Sequence, residues 1–572
     1  MFWGVGIWGT VPWGVAGLTV AGSGETAQAL ANSRAQVCHL VEIEVGTGAA
    51  VAVETLGWPA LWGVSPWGTG AVLGTPAAGT ATLRFSDIGW VRPFDDELPF
   101  DVTYPPRLAV PARFERSFAV RPWTAGAAPA SYGYLELANA DGRLDGLAGT
   151  PAEGRRVTLM TGRARPVASD ARFTASQDLT RVFTVRAGSW TVGRSSVRLE
   201  LTSRAPSLAG PANPTRYAGT GGAEGGAELA GLPKPLTYGQ VFNARAVLVT
   251  PANNEYQTHD GAVRAYDAVR VQGVAQIFDA DYADRASLLA AQPGLSVGEY
   301  ATCLAEGRFV LATTPSGEVT FDGRGETQVG GTATGYVSSV PTILGRFLAG
   351  RQGVTDYSAS GFAQLNPGTA GVYLGAEDRT ALQLVAELIA GVGGVPGETA
   401  EGLLTAYTLK DPAAQPVAFR VLARDVLAVR ALPLPAPPAT VEVSYRRNFT
   451  PQPSGLAGSV STADREDYAR PFRVVRAASG AGALNAAALE IARLDSPLAD
   501  SGDAQTVANA QAALHTNARR LWQVSLGRGA LGIGLGDTLE LTAERVGTQK
   551  RVQVVGLGLA LDRGTVDLTV WG

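Results

Sequence analysis

Three lysines, Lys234, Lys410 and Lys550, and three histidines, His39, His259 and His515, are all that 572 residues contain of either type, and cysteine occurs only as Cys38 and Cys303. Each shortage excludes a class of function. No two histidines stand at HExxH or a comparable ligand spacing, which argues against a histidine-rich metal site. The two cysteines are far apart, with neither a CxxC nor a dense framework, so they read as buried thiols rather than a zinc site or a disulfide scaffold. The net charge of −4 carries no basic excess, and sequence-independent binding to a nucleic-acid backbone is not expected from bulk charge. The excess of arginine over lysine, amid abundant alanine and glycine, reflects a GC-rich coding sequence and not a function.

Charge is also missing from the start of the chain, where no ionisable side chain precedes Glu25. That stretch lacks a basic n-region and is punctured by glycine, and no continuous run of roughly 18 apolar residues occurs anywhere. The expectation is a chain with no membrane span and no export signal of its own. No Walker A sequence is present. Gly4-Val5-Gly6-Ile7-Trp8-Gly9 and Gly527-Arg528-Gly529-Ala530-Leu531-Gly532 both match GxGxxG, but neither sits between a strand and a helix as dinucleotide binding requires.

What is abundant is Trp-Gly. The pair recurs at Trp3, Trp8 and Trp13, returns at Trp62 and Trp67 with Trp58 close by, and supplies the last two residues, Trp571 and Gly572. A period of five fits neither helix nor strand, and the glycines with Pro12 disfavour a helix, because each interior glycine costs about 1 kcal/mol and proline about 3. Large aromatics on such a segment need a neighbour to pack against, either the chain's own sheet or a partner's. Trp3, Trp8, Trp13, Trp58, Trp62 and Trp67 are therefore the candidate interface residues. No catalytic, cofactor-binding or metal-binding residue is assigned, and the chain is read as an assembly subunit and not an enzyme.

Acidic residues cluster at Asp95, Asp96, Glu97 and Asp101, in the spirit of paired carboxylates or a calcium loop. Pro93, Pro99, Pro105 and Pro106 place them in an irregular, solvated connection. Asn139 to Asp145 superficially matches a calcium loop, but with Gly142 as its glycine the first and twelfth positions would be Leu137 and Ala148, so the pattern fails and an Asp-Gly turn suffices.

Along the chain, alternation predicts strands at Val37–Val45, Thr82–Phe85, Tyr132–Leu137, Val157–Met160, Val182–Val185, Val197–Leu201, Val441–Tyr445, Thr538–Ala543, Arg551–Gly556 and Thr565–Val570. Helices are expected near Ala283–Ala291, after Pro341 to Gly350, over Asp378–Val392 and, as the longest, over Asp503–Gln523. His515 would then lie within that long helix. Residues 207–233, rich in Pro, Gly and Ala, read as a linker, and Leu432–Pro438 as a second separator. The expected fold is mainly β with an α/β middle, two barrel-like β domains flanking mixed α/β domains. The expected units are a Trp-Gly-rich segment at 1–75, a barrel-like domain at 76–206, a linker with a β-rich domain at 207–350, an α/β domain at 351–450, and a helix with a closing barrel at 451–572.

Several of these pieces carry a resemblance. Tyr132 to Asp145 (YGYLELANADGRLD), Gly154-Arg155-Arg156-Val157, Leu232 to Gly239 (LPKPLTYG), Pro315 to Thr320 and the closing run from Gly534 through Leu541, Val552–Gly556 and Val566–Gly572 resemble tail baseplate hub proteins of siphophages and related prophages. The resemblance extends loosely from about residue 80 to the C-terminus, and nothing in it matches a lysozyme-like or peptidase insert. It implies a virion structural protein at the tail tip, assembled in the bacterial host cytoplasm: a homotrimeric hub with two barrel-like domains per subunit that closes the tail tube, anchors fibres and opens for DNA ejection. The implied neighbours are distal tail or tail-tube proteins, a central fibre or tip protein and the tape-measure protein, with transient passage of DNA and no cofactor. The alternatives are a secreted or virion-borne glycan-binding or glycan-cleaving β protein, with tryptophans stacking on sugars, and a tail-tip adhesin.

Deleting residues 1–15 is expected to weaken assembly while leaving the barrel strands folded. Hydrogen exchange checks the premise, and equally fast exchange across residues 1–20 in free chain and assembled particles would show that these tryptophans anchor nothing.

Overall fold

The computed structural model describes residues 37–46, 80–91, 102–118, 120–121, 130–163, 179–203, 205–329, 332–333, 335–480 and 490–572. The fold is mainly β, with two half-barrel sheets and an α/β middle. The first half-barrel is antiparallel, in the order Thr80–Ser86, Val37–Gly46, Arg156–Arg163, Thr180–Val192, Ser196–Thr202, Tyr134–Ala138, Leu108–Val110. Period-two alternation turns Val41, Ile43, Leu135, Leu137, Val157, Leu159, Val197 and Leu199 to one side, where all are buried.

The second half-barrel runs Phe419–Val421, Thr538–Ala543, Gly547–Ala560, Thr565–Trp571, Leu521–Gly527, Val426–Leu432. Its inward residues Val524, Leu526, Leu541, Val552, Val566 and Leu568 join those of the first sheet in one continuous hydrophobic core. The first half-barrel draws on residues 37–202 and the second on residues 419–571, recruiting Phe419–Val421 and Val426–Leu432 from the middle of the chain, and the two fold against each other.

A strand crossing between them fixes the arrangement. Arg113–Ser117 belongs in sequence to the first β region but pairs antiparallel with Gly547–Ala560, matching Phe114 to Leu559 and Arg116 to Leu557. Phe114 lies 4.8 Å from the Phe183 ring and 5.8 Å from the Tyr132 ring, inside the shared core. The returning chain crosses closely over the start of this strand at Gly133, where φ is +61° and a Cβ would sit 1.6 Å from the Arg113 carbonyl oxygen.

The middle of the chain builds two further sheets and a helical layer. One sheet orders Val274–Ala275, Val263–Val271, Val319–Glu326, Leu236–Arg245 and Gly371–Leu374, and the other Val247–Thr250, Glu255–Gln257, Arg308–Leu311, Glu299–Cys303 and Ile277–Asp281. The expected helices appear at Arg285–Ala291, Val340–Gly350 and Ala381–Ala390. In the last, Thr380 and Gln383 form a reciprocal capping box, and Leu384, Val385, Leu388 and Ile389 are the buried face. Residues 207–233, read as a linker, run as short 3-10 turns that bury Leu208, Tyr217 and Leu229.

The longest helix is shorter than the sequence suggested. It spans Ser501–Ala513, with the Asp500 carboxylate accepting from the Gly502 and Asp503 amides. Its expected last turns are not helical, since Leu521–Gly527 is a strand in which Trp522, Val524 and Leu526 alternate inward. His515 therefore follows the helix. The helix packs not on the closing barrel but on a three-stranded sheet of Arg473–Ala478, Thr440–Tyr445 and Ile491–Leu494.

Replacing Phe114 with Ala is expected to cost about 3 to 5 kcal/mol, the range for a buried aromatic, and to lower the unfolding temperature of both half-barrels together. Calorimetry checks it: an unchanged transition would mean that the crossing strand does not join the two sheets.

Candidate assembly surface

All six tryptophans expected at an interface, Trp3, Trp8, Trp13, Trp58, Trp62 and Trp67, lie outside the described residues, as do Asp95, Asp96, Glu97 and Asp101. The C-terminal Trp-Gly is described, and it packs on its own chain. Trp571 is 1% exposed, its strand partners are Leu521 and Gln553, and the Arg519 guanidinium lies 4.8 Å from its ring centroid. Arg520 and Gly572 exchange backbone hydrogen bonds at 2.9 and 3.1 Å, so the chain end is stitched into the sheet.

The groups able to do chemistry are held in structural roles. Cys38 is buried on a central strand, its thiol donating to the Gly162 carbonyl, and burial with the nearby Asp87 charge pushes it up to about 12. It is a poor nucleophile in that state. His259 is fully buried, and its Nδ1 accepts from the Thr237 amide at 2.9 Å, which leaves the neutral ring's proton on Nε2, 3.6 Å from Glu326. Burial and the Arg351 charge hold this histidine well below its ordinary value. Glu255, also buried, accepts from Arg285 and Arg308 at 2.6 and 2.8 Å. Burial raises its carboxyl, but the bonds from Arg285 and Thr250 with the Arg308 charge prevail and keep it below the ordinary range. In the loop that superficially matched a calcium site, Arg107 grips Asp141 with two bonds of 3.0 and 2.6 Å, and Asn139 bonds Asp145. Among the described residues no group of three His, Cys, Asp or Glu is placed to hold a metal ion.

Clefts tell the same story. A cleft of about 330 Å³ opens where the sheet strands Leu236–Arg245 and Val319–Glu326 meet the loops at 446–449 and 497–499. Its charged walls are paired: Arg324 with Asp267 at 2.8 Å, Arg447 with Glu387 at 2.6 Å, and Asp322 with Arg270 at 2.5 Å. The pairs lock the junction and leave little for a ligand to engage.

The surface offers something else. Several large apolar side chains stand exposed at sheet edges, among them Ile277 (67%), Phe278 (53%) and neighbouring Val297 (84%) at one and Leu427 (62%) at another, with Leu248, Phe472, Val474 and Ile491 less exposed on or beside other edge strands. Sequence reading missed them, because a short run such as Gln276-Ile277-Phe278-Asp279 has the composition of any core strand. No helix among the described residues is long and apolar enough to cross a membrane, so these patches are not parts of a helical span.

No family model and no curated protein matches the chain. Partial likeness to solved structures exists. A chain of the virion of a native gene transfer agent particle is 13% identical, with 60% of this chain and 84% of that one covered and a TM-score of 0.38. The tail protein from Neisseria meningitidis MC58 is 9% identical, covering 82% and 93%, with a TM-score of 0.35. The 43 kDa tail protein of prophage MuSo2 from Shewanella oneidensis is 7% identical, covering 80% and 92%, with a TM-score of 0.33.

A pH dependence follows from the histidines. Burial, with the charges of Arg121 and Arg519, lowers His515 from 6.5 to about 4. The unfolded chain therefore takes up a proton that the folded one refuses, so the stability this residue contributes is complete above pH 6.5 and is lost as pH falls through 4. His259 acts in the same direction. The unfolding temperature is expected to drop between pH 6.5 and 4, and to drop less in His515→Gln. A flat profile over that interval, measured by differential scanning fluorimetry, would contradict the burial of neutral imidazoles.

Proposed function

We propose that this chain is a virion structural protein of a phage-type tail, the subunit of a trimeric baseplate hub that closes the tail tube. The observation that carries the reading is the pair of half-barrel sheets, drawn from residues 37–202 and 419–571 and closed around one core. A subunit that presents two similar β units lets three copies match a six-fold tube, and such a ring depends on shape and buried interface rather than on catalysis. The sequence resemblance to tail hub proteins supports the same reading, as do thiols and histidines spent on packing.

In this role one face of the ring meets distal tail or tail-tube proteins and the tape-measure protein. The other anchors a central fibre or tip protein, and the ring opens for DNA to pass. The Trp-Gly segments containing Trp3, Trp8, Trp13, Trp58, Trp62 and Trp67 serve as clasps, on the chain's own sheets or on a neighbour's.

Mass photometry of the purified chain, with symmetry analysis of images of assembled tails, tests the proposal. Three copies per tail tip are expected. A chain that stays monomeric in all conditions, with no ring in particles, would contradict it.

A further inference from the structure

The two edges with the most exposed apolar side chains belong to different sheets and carry opposite charge. Ile277–Asp281 is the last strand of its sheet and pairs only with Glu299–Cys303 among the described residues. Asp281, itself exposed, accepts from the Thr302 hydroxyl and the Leu304 amide at 2.8 and 3.0 Å. Asp279 is exposed beside Ile277 and Phe278, and among the described residues no cation pairs with it. Val426–Leu432 is likewise the last strand of the second half-barrel, pairing only with Leu521–Gly527 among the described residues. It exposes Leu427, Ala428, Arg430 and Ala431, and Arg424 just before it pairs with Asp425 at 3.8 Å, which leaves Arg430 as the outward charge of the strand.

An open strand edge with an exposed large apolar side chain is an invitation to further pairing, which monomeric proteins blunt with charge or cover. Here each edge has what the other lacks. One offers Ile277, Phe278 and Val297 with an outward carboxylate, and the other offers Leu427 and flanking alanines with an outward guanidinium. We propose that the Ile277–Asp281 edge of one copy docks on the Val426–Leu432 edge of a second copy of this chain, with Asp279 facing Arg430. The contact joins two different patches, so it runs head to tail and repeats until it closes into a ring. It rests on the ring reading given above and names the surfaces that would hold the ring together.

Cysteine cross-linking of the full chain tests it, aided by the fact that both native cysteines are buried. Under oxidation, Ile277→Cys with Leu427→Cys in one chain is expected to give dimers and trimers on a non-reducing gel. The two single variants mixed should stop at dimers, and each alone should stay uncross-linked. Charge reversal gives a second readout by mass photometry: Asp279→Arg or Arg430→Asp alone should raise the concentration at half dissociation by about fivefold, and the two together should restore it. Trimers that form normally in both reversals and never cross-link would overturn this interface while leaving the ring reading intact. A wild-type chain monomeric throughout would overturn both. Cross-links that appear only to another tail protein would assign these edges to that partner and overturn the proposal.

Discussion

Antiparallel pairing of Arg113–Ser117 with Gly547–Ala560 is the constraint on which the rest of the molecule depends. It obliges the two ends of the sequence to fold as one body, and Phe114 and Leu559, matched across that pair, both enter the common core. The two middle sheets and the helical layer, between the last strand of the first half-barrel at Thr202 and the first strand of the second at Phe419, become an insertion whose two ends are held at fixed points. Such pairing is costly to form, since a loop of several hundred residues must close before any contact rewards it. Once formed, it makes each half-barrel's core the other's support.

The inserted middle is tied to this body by a small apolar cluster, in which Val395 and Leu409 meet Phe118, Val555 and Trp571, and by buried polar contacts. Arg116, 5% exposed on the crossing strand, donates to the Glu398 carbonyl oxygen at 2.6 Å, and the Tyr132 hydroxyl bonds the Glu398 carboxylate at 3.1 Å. Gln553, 2% exposed in the second half-barrel, accepts from the Lys410 amide and donates to the Thr408 carbonyl. Directional bonds of this kind fix orientation more than they add stability, because a buried donor left unmatched costs more than a matched one contributes. The result is a middle held in one orientation against the barrel body.

Much of this was legible in the sequence. Alternation located the strands at Val37–Val45, Val157–Met160, Val182–Val185 and Val197–Leu201, and the apolar stripe from Leu382 to Ile389 located a helix, because a half-buried strand and an amphipathic helix imprint their periods on the residues that build them. The long helix was overextended for the same reason. Ala-rich Asp503–Ala513 continues without a glycine or proline stop into Leu521-Trp522-Gln523-Val524, whose period of two decides only once Trp522 and Val524 meet the sheet. The crossing of Arg113–Ser117 into the distant sheet leaves no local mark at all. Of the candidate interface, the six tryptophans stood out by spacing, whereas Ile277, Phe278 and Leu427 did not, since exposure of an apolar residue is a property of the fold and not of the residue.

Native-state hydrogen exchange compares the crossing strand with its distant partner directly. The account predicts that amides of Arg113–Ser117 and of Gly547–Ala560 exchange only through the same global opening, with matched protection that Phe114→Ala lowers equally in both. Exchange of residues 113–117 that is much faster than that of residues 547–560, and indifferent to that substitution, would contradict the claim that the two ends of the chain form one body.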